Sequence, residues 1–408
     1  MEEKNETEDE GTAHMRVMSG RLTTGAAESE AAARVPTSAL CLDGGCAATD
    51  AAARAAFERG VADVVRELVP HFRDVAPHST ADLVLEYFKQ GITNKLVCVA
   101  PRSAPDDDAR KCLVRVFGSR TEFVIDRAHE LLVLTEHPMA PRLYGRFANG
   151  YVVQYSPGHT LSLAEAQDAH IGALVARAAR QLHAHGVRGV SHEPRLYATM
   201  RLWLGNLRPR IFADAGAAAK QALLDAVGGC AALAREVAWH EAGTARLRGL
   251  PAPCLCHNDL LLGNILYDPP PRDAVTLIDF EYCAYGYAPH DIANHFCEWA
   301  GFECAWDRYP GAAQQAAWLR AYLGADATDA AVAHWLRLVR WFELASHLFW
   351  GIWAFLQGAL STIDFPYVPY AHARLTRYYA RKHELLADPS AGLGLEIDEQ
   401  NVLPSPKL

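Results

Sequence analysis

Three polar residues, Asp259, Asn264 and Asp279, interrupt a largely apolar stretch running from Cys254 to Trp299. Their types suit one kind of chemistry, transfer of a phosphoryl group from a nucleotide. That reaction needs a carboxylate to accept or orient the proton of an attacking hydroxyl. It also needs an amide oxygen and a second carboxylate to hold Mg²⁺ against the phosphates. Leu255–Cys256 and Val275–Ile278 read as short strand ends, and Pro269-Pro270-Pro271 with Asp273 supplies turn chemistry between them. A hairpin of those two runs would bring Asp259, Asn264 and Asp279 to one edge.

The spacing sharpens this reading. Protein kinases place these groups as H-R-D-x-x-x-x-N followed by D-F-G. Here His257-Asn258-Asp259, four residues, Asn264, and then Asp279-Phe280-Glu281 reproduce that order, with Asn for Arg and Glu for Gly. A lone Asp in a loop is ordinarily a cap or turn residue. Three such groups at this spacing, flanked by strand-like runs, argue for a kinase-like site.

Composition sets the frame. With 408 residues, 50% of them hydrophobic, the chain can bury one large bilobal core or two modest ones. A net charge of −9 argues against stable binding to nucleic acid or anionic lipid, both of which need basic surface. Nucleotide binding stays open, because a metal ion and local groups dominate such a site. The 10 cysteines form no CxxC pair, and Cys254-x-Cys256 reads as free thiols in a strand-like run. No signal-peptide pattern opens the sequence, so a reducing, cytoplasmic compartment is expected. Trp341 to Leu360 is the only candidate membrane span. Glu343, His347 and Gln357 within it would be costly in lipid, so it reads as a buried core helix.

Several elements must position the polar residues. Residues 1–55 are rich in Glu, Ala, Thr and Gly without sustained periodicity, and a disordered extension is expected there. Ala56 to Val69 has helical spacing, and Leu83 to Tyr87, Leu96 to Val99 and Cys112 to Gly118 read as strands, the last carrying the single cation Arg115. On an edge strand, Arg115 would ordinarily be solvated. A helix is expected over Glu122 to Glu136. A long helix over Leu161 to His185 should be interrupted near Gly172, and its terminal histidines suit helix-end capping better than metal ligation. Tyr197 to Leu247 is Ala-rich and helical. Trp350 and Trp353, three apart, share a helix face. Core packing and an aromatic wall for a small cation are both open for them, the wall worth ~0.5–2 kcal/mol per ring.

The segments HNDLLLGNILYD, LIDFEY and DIANHFCEWAG resemble the choline/ethanolamine kinase family, and the similarity runs over about Val61 to Lys382. The resemblance implies an α+β, protein-kinase-like bilobal fold, with a small β-rich N-lobe (56–155), a larger, mainly helical C-lobe (156–386) and a tail (387–408). It implies transfer of the ATP γ-phosphate to the hydroxyl of a small amino alcohol, with Asp259 as the base and Mg²⁺ on Asn264 and Asp279. GITNKL resembles the phosphate loop of ethanolamine kinases, which would set Thr93 and Asn94 on the phosphates. Arg115 would contact the phosphates with Glu130 as its partner, and the hinge backbone from Gln154 to Ser156 would meet the adenine. Glu298 would neutralise the substrate ammonium beside Trp350, Trp353 and Tyr370. Asp291 would brace the catalytic loop rather than react.

GITNKL, the TEFVIDR run and STIDF resemble ethanolamine kinases, whereas HFCEW and GNIL resemble choline kinases. The expected acceptor is ethanolamine, giving phosphoethanolamine as a first step toward phosphatidylethanolamine. Choline, or dual use, is the alternative. An antibiotic-type phosphotransferase would lack the Trp-x-x-Trp and Tyr wall, and a dead scaffold is disfavoured by the intact Asp259, Asn264 and Asp279. The expected partners are thus ATP and a small amino alcohol, with no nucleic acid and no membrane span. A homodimer is compatible with the resemblance, and the sequence leaves the oligomeric state open.

Overall fold

Runs of β-branched residues between turns build an antiparallel sheet from β1 (Leu83–Phe88), β2 (Asn94–Pro101), β3 (Cys112–Phe117), β4 (Leu143–Phe147) and β5 (Gly150–Gln154), in the order β1-β2-β3-β5-β4. The computed structural model describes residues 35–42, 51–88, 94–118, 124–207, 211–214, 216–361 and 363–388. Helix α1 (Ala51–Leu68) turns Phe57, Val61, Val64, Val65 and Leu68 inward. These meet Val97, Val99, Val114 and Val152 in a separate small core. β3 is therefore an interior strand, not an edge, and Arg115 on it is buried. Gly150 faces β3 so closely that a Cβ there would stand 2.1 Å from the Arg115 carbonyl oxygen.

Part of the expected disordered extension is built into this lobe. Ser38 N–H donates to Arg146 O, and Arg146 N–H donates to Pro36 O, so the segment runs beside β4. The Asn149 amide then closes both backbone groups of Leu42, at 2.9 and 3.0 Å. The buried Val35 and Leu42 explain why the segment stays, and α1 begins at Ala51 rather than Ala56. Helix α2 (Arg127–Glu136) starts later than expected, because Asp126 caps it by accepting from His129 N.

The second lobe is mainly helical. β6 (His159–Thr160) leads into α3 (Leu163–Gln167) and α4 (Ala169–Ala184). The interruption falls at Asp168, not at Gly172, since the Asp168 side chain accepts from His170 N and Ile171 N and restarts the helix. α5 (Leu196–Asn206), α6 (Ala217–Ala226) and α7 (Gly229–Thr244) follow. The strands around the polar triad are β7 (Cys254–Cys256), β8 (Ile265–Asp268), β9 (Ala274–Leu277) and β10 (Ala284–Gly286). Their pairing corrects the expected hairpin. β8 pairs with β9 across the proline turn, while β7 pairs with β10. Helices α8 (Ala288–Glu298), α9 (Ala312–Leu323), α10 (Asp329–Leu360) and α11 (Tyr367–Ala387) complete the lobe.

The apolar run Trp341 to Leu360 lies within α10 and is buried continuously from Trp341 to Gln357. It is apolar on every face because helices cover it on several sides. Glu343 within it accepts from Arg381 at 2.8 and 3.0 Å, while the buried His347 Nδ1 has no hydrogen-bond partner among the described residues. Among the described residues no helix is long and apolar enough to cross a membrane.

Burial holds four histidines neutral. It lowers His240 to about 3, and His290, His295 and His347 to about 4. In the unfolded chain such groups take up protons near pH 6.5. As the folded values are depressed, stability is full above about pH 6.5 and falls as pH drops toward 4, where the unfolded chain binds more protons. Urea unfolding at pH 7.5 and pH 5 should show a loss on the order of several kcal/mol at the lower pH. His240→Gln should flatten part of that dependence.

Candidate active site

One face of α8 organises the site. Asp291, Asn294, His295 and Glu298 fall at helical positions i, i+3, i+4 and i+7 and so share that face. The Asp291 carboxylate accepts from the backbone N–H of His257 and of Asn258, each at 2.7 Å. His183 Nε2 reaches the same carboxylate at 3.0 Å. Asn294 donates to Asn258 O at 3.2 Å, and His295 Nδ1 donates to Leu260 O at 3.0 Å. The loop after β7 thereby finds partners for its buried backbone on one helix. Those bonds hold Asn258 in the left-handed region at φ 64°, a conformation Asn tolerates, and its side chain donates to Tyr282 O at 2.9 Å.

The turn aims Asp259 into a cleft. Asn264 Nδ2 donates to both Asp259 O and Oδ2, at 2.9 and 2.8 Å. Asn264 Oδ1 keeps no partner among the described residues. His257 Nε2 donates to Ile278 O at 2.9 Å and ties the loop to the end of β9. Asp279 follows in a left-handed conformation at φ 66°. Burial pushes the Asp259 carboxyl well above the usual range; Asp279, Glu298 and Glu281 add to the push, and the Asn264 hydrogen bond opposes it. Such a concentration of carboxylates calls for cations. The partner-free Asn264 Oδ1 and the partly exposed Asp279 carboxylate supply hard oxygen donors, which fit a magnesium ion.

Arg115 enters from the other lobe but does not pair with Glu130. Its Nη1 donates to Asp279 Oδ1 at 2.6 Å and its Nη2 to Glu281 Oε2 at 2.7 Å. Glu130 instead accepts from Arg127 at 2.7 Å and from the Tyr151 hydroxyl at 2.8 Å. Arg127 also reaches Glu281 at 3.1 Å, so Glu130 supports Arg115 through a chain of charges rather than directly. The difference arises at Glu281, which stands where protein kinases carry Gly and which brings its own carboxylate to the guanidinium.

The cleft measures about 510 Å³ and joins an apolar slot to an aromatic chamber. Leu96, Leu113, Leu266 and Ile278 line the slot with Tyr155 and Ser156. Gln154 does not line it: its side chain is exposed and its N–H is engaged by Arg142 O. Thr93 lies outside the described residues, as does the side chain of Asn94, whose backbone opens β2. At the other end Trp350 and Trp353 stand edge to face at 5.2 Å, and Tyr282 meets Trp350 at 5.3 Å. Each indole is fixed through its N–H, Trp350 to Asn294 Oδ1 at 2.8 Å and Trp353 to the Tyr282 hydroxyl at 2.9 Å. Tyr370 and Glu298 complete the chamber. Buried Arg374 holds both, donating to Glu298 Oε1 at 2.8 Å and to the Tyr370 hydroxyl at 3.0 Å.

The structure therefore gathers Arg115, Ser156, Asp259, Asn264, Asp279, Glu298, Trp350, Trp353 and Tyr370 at or beside one cleft. The sequence reading missed Glu281, Tyr282, Phe302 and Arg374. The glutamate in place of Gly after Asp279-Phe280 was a visible signal for the first. Arg374 had none, since a basic residue near a helix end is commonplace.

A sequence profile of the family described as choline/ethanolamine kinase matches residues 85–379. Ethanolamine kinase 1 of Mus musculus is 34% identical over 343 residues, which cover 80% of this chain and 90% of that protein. The solved structure of a Plasmodium vivax ethanolamine kinase superposes with a TM-score of 0.69 at 26% identity, covering 81% of this chain and 89% of that one. A choline kinase structure from Cryptosporidium parvum shares the fold, with a TM-score of 0.62 at 21% identity over 82% of this chain and 97% of that one.

Asp291 touches no cleft atom yet sets the loop that carries Asp259. Asp291→Asn replaces one acceptor oxygen with a donor facing a backbone N–H, which should shift the loop while leaving the slot intact. ATP turnover should fall about 10²-fold in kcat, the scale of a small misplacement of reacting groups, with the KM for ATP nearly unchanged. Steady-state kinetics on the folded variant checks this.

Proposed function

The chain belongs to the choline/ethanolamine kinase family and is an ATP-dependent kinase, and from that premise we propose that ethanolamine is its acceptor. The observation that carries this reading is Glu298. Its Oε1 is taken by Arg374, while its Oε2 has no partner among the described residues and the side chain borders the chamber. A primary ammonium brings three N–H donors, and a free carboxylate oxygen is what such donors need. The similarity to ethanolamine kinases points the same way.

In this reading ATP lies with its base in the apolar slot and its phosphates toward Asp279. Asn264 and Asp279 would hold the divalent metal, which, when bound, neutralises charge on the phosphates. Asp259 takes the proton of the ethanolamine hydroxyl as that oxygen bonds to the γ-phosphorus. The bond from γ-phosphorus to the bridging oxygen breaks, leaving ADP and phosphoethanolamine. Arg115, fixed by Asp279 and Glu281, places a permanent positive charge beside the transferring group. Trp350, Trp353 and Tyr370 face the ammonium, each ring worth ~0.5–2 kcal/mol. We further propose a reducing, cytoplasmic setting, in keeping with the free thiols of the described cysteines.

The aromatic chamber favours a second reading. Choline has no N–H donors and depends on such walls, so dual use would follow if Glu298 mattered only through its charge. Phosphate transfer to ethanolamine and to choline should be measured side by side with ATP and Mg²⁺. A kcat/KM for ethanolamine at least tenfold higher, about 1.4 kcal/mol of discrimination, is expected; equal values would replace the proposal with dual use. Asp259→Asn should abolish transfer while ATP affinity, read by calorimetry, stays near wild type.

A further inference from the structure

Behind the catalytic loop, on the side of β7 away from the cleft, two thiols and an imidazole converge. Cys254 and Cys256 are two apart on β7 and so project from the same face of the strand. Their Sγ atoms are 3.9 Å apart. Tetrahedral zinc with Zn–S bonds of about 2.3 Å sets two sulfurs about 3.8 Å apart. A nitrogen of His183, arriving from α4, lies within 4.8 Å of both sulfurs. Cys256 and the His183 imidazole are buried, while Cys254 keeps partial exposure and marks the entry side. Residues two apart along a strand have Cα atoms about 6.6 Å apart, near the outer limit a disulfide can span, so the pair is better disposed to chelate than to crosslink.

We propose that Cys254, Cys256 and His183 form a binding site for a soft divalent cation such as Zn²⁺, and that its occupation inhibits the enzyme. Binding replaces two S–H bonds with two metal–sulfur bonds, and both protons pass to solvent. It also requires an unprotonated imidazole nitrogen. Both ring nitrogens of His183 are already engaged, Nδ1 with the Tyr322 hydroxyl at 2.7 Å and Nε2 with Asp291 Oδ2 at 3.0 Å. The Asp291 carboxylate only accepts, so Nε2 carries the proton and Nδ1 is the nitrogen open to the metal, in place of the Tyr322 hydroxyl. Taking it breaks the link to Tyr322 on α9 and draws the ring toward β7, against its remaining bond to Asp291 on α8. Asp291 is the carboxylate that holds the His257 and Asn258 N–H groups. The metal thus pulls on the histidine that supports Asp291, at a place outside the cleft that Asn264 and Asp279 line.

The test uses the full chain with a non-thiol, non-chelating reductant. Equilibrium dialysis should retain one Zn²⁺ per wild-type chain, and Cys254→Ser should weaken that retention at least tenfold. Cobalt(II) titrated into the wild type should give thiolate-to-metal charge-transfer absorption, a readout that needs neither a variant nor turnover. At fixed, saturating Mg²⁺, Zn²⁺ should inhibit ATP turnover of the wild type at a concentration at least tenfold lower than for Cys254→Ser. Absence of the cobalt–thiolate band, or equal zinc retention by both proteins, overturns the site. Equal inhibition of both proteins, the result of magnesium displacement in the cleft, overturns the coupling. Because dialysis and cobalt spectra do not depend on the acceptor, their failure is distinct from failure of the ethanolamine reading.

Discussion

Two consecutive backbone N–H groups, those of His257 and Asn258, point at one buried carboxylate. The rest of the site depends on that arrangement. A loop that must turn through a left-handed Asn cannot satisfy its own donors with regular ladder bonds. Inside a protein an unmet donor costs about 1–3 kcal/mol. Asp291 removes that cost twice and draws its own compensation from His183. Because Asn294, His295 and Glu298 ride on the same helical face, fixing Asp291 also fixes the floor of the acceptor chamber. Catalytic loop and substrate pocket are therefore positioned by one rigid element.

The second constraint is charge. Asp259, Asp279, Glu281 and Glu298 border one cleft, and close carboxylates repel. Two buried arginines offset them without filling the cleft. Arg115 takes Asp279 and Glu281 near the phosphate end, and Arg374 takes Glu298 at the acceptor end. Each leaves part of the carboxylate set open to a cation from outside; on the proposed reading these would be a metal at one end and an ammonium at the other. Removing Arg374 would leave Glu298 buried without its counter-ion, which costs more than the pair contributes, whereas Glu281 would keep Arg127 if Arg115 were lost.

Much of this was legible in the sequence where the chemistry is compact. Asp259, Asn264 and Asp279 lie within one short stretch, and few other reactions ask for those groups in that order. Asp291 as a brace came from the family resemblance rather than from its own neighbourhood in the chain. Legibility failed where partners are remote along the chain. Arg374 meets Glu298 across 76 residues and Arg115 meets Glu281 across 166, and no local pattern announces such pairs. Strand pairing failed for a related reason: apolar runs show that strands exist but not which partner each takes, and β7 pairs with β10 rather than β9. The segment from Val35 to Leu42 looked unstructured because its order comes from β4 and Asn149 rather than from its own composition.

The loop that carries Asp259 is held by Asp291 rather than by its own turn. Hydrogen exchange at the His257 and Asn258 amides, followed by NMR without ligands, reads this out residue by residue. Both amides should exchange as slowly as the interior strand β3, only through global opening of the fold. Exchange of both at rates typical of an open surface loop would contradict it.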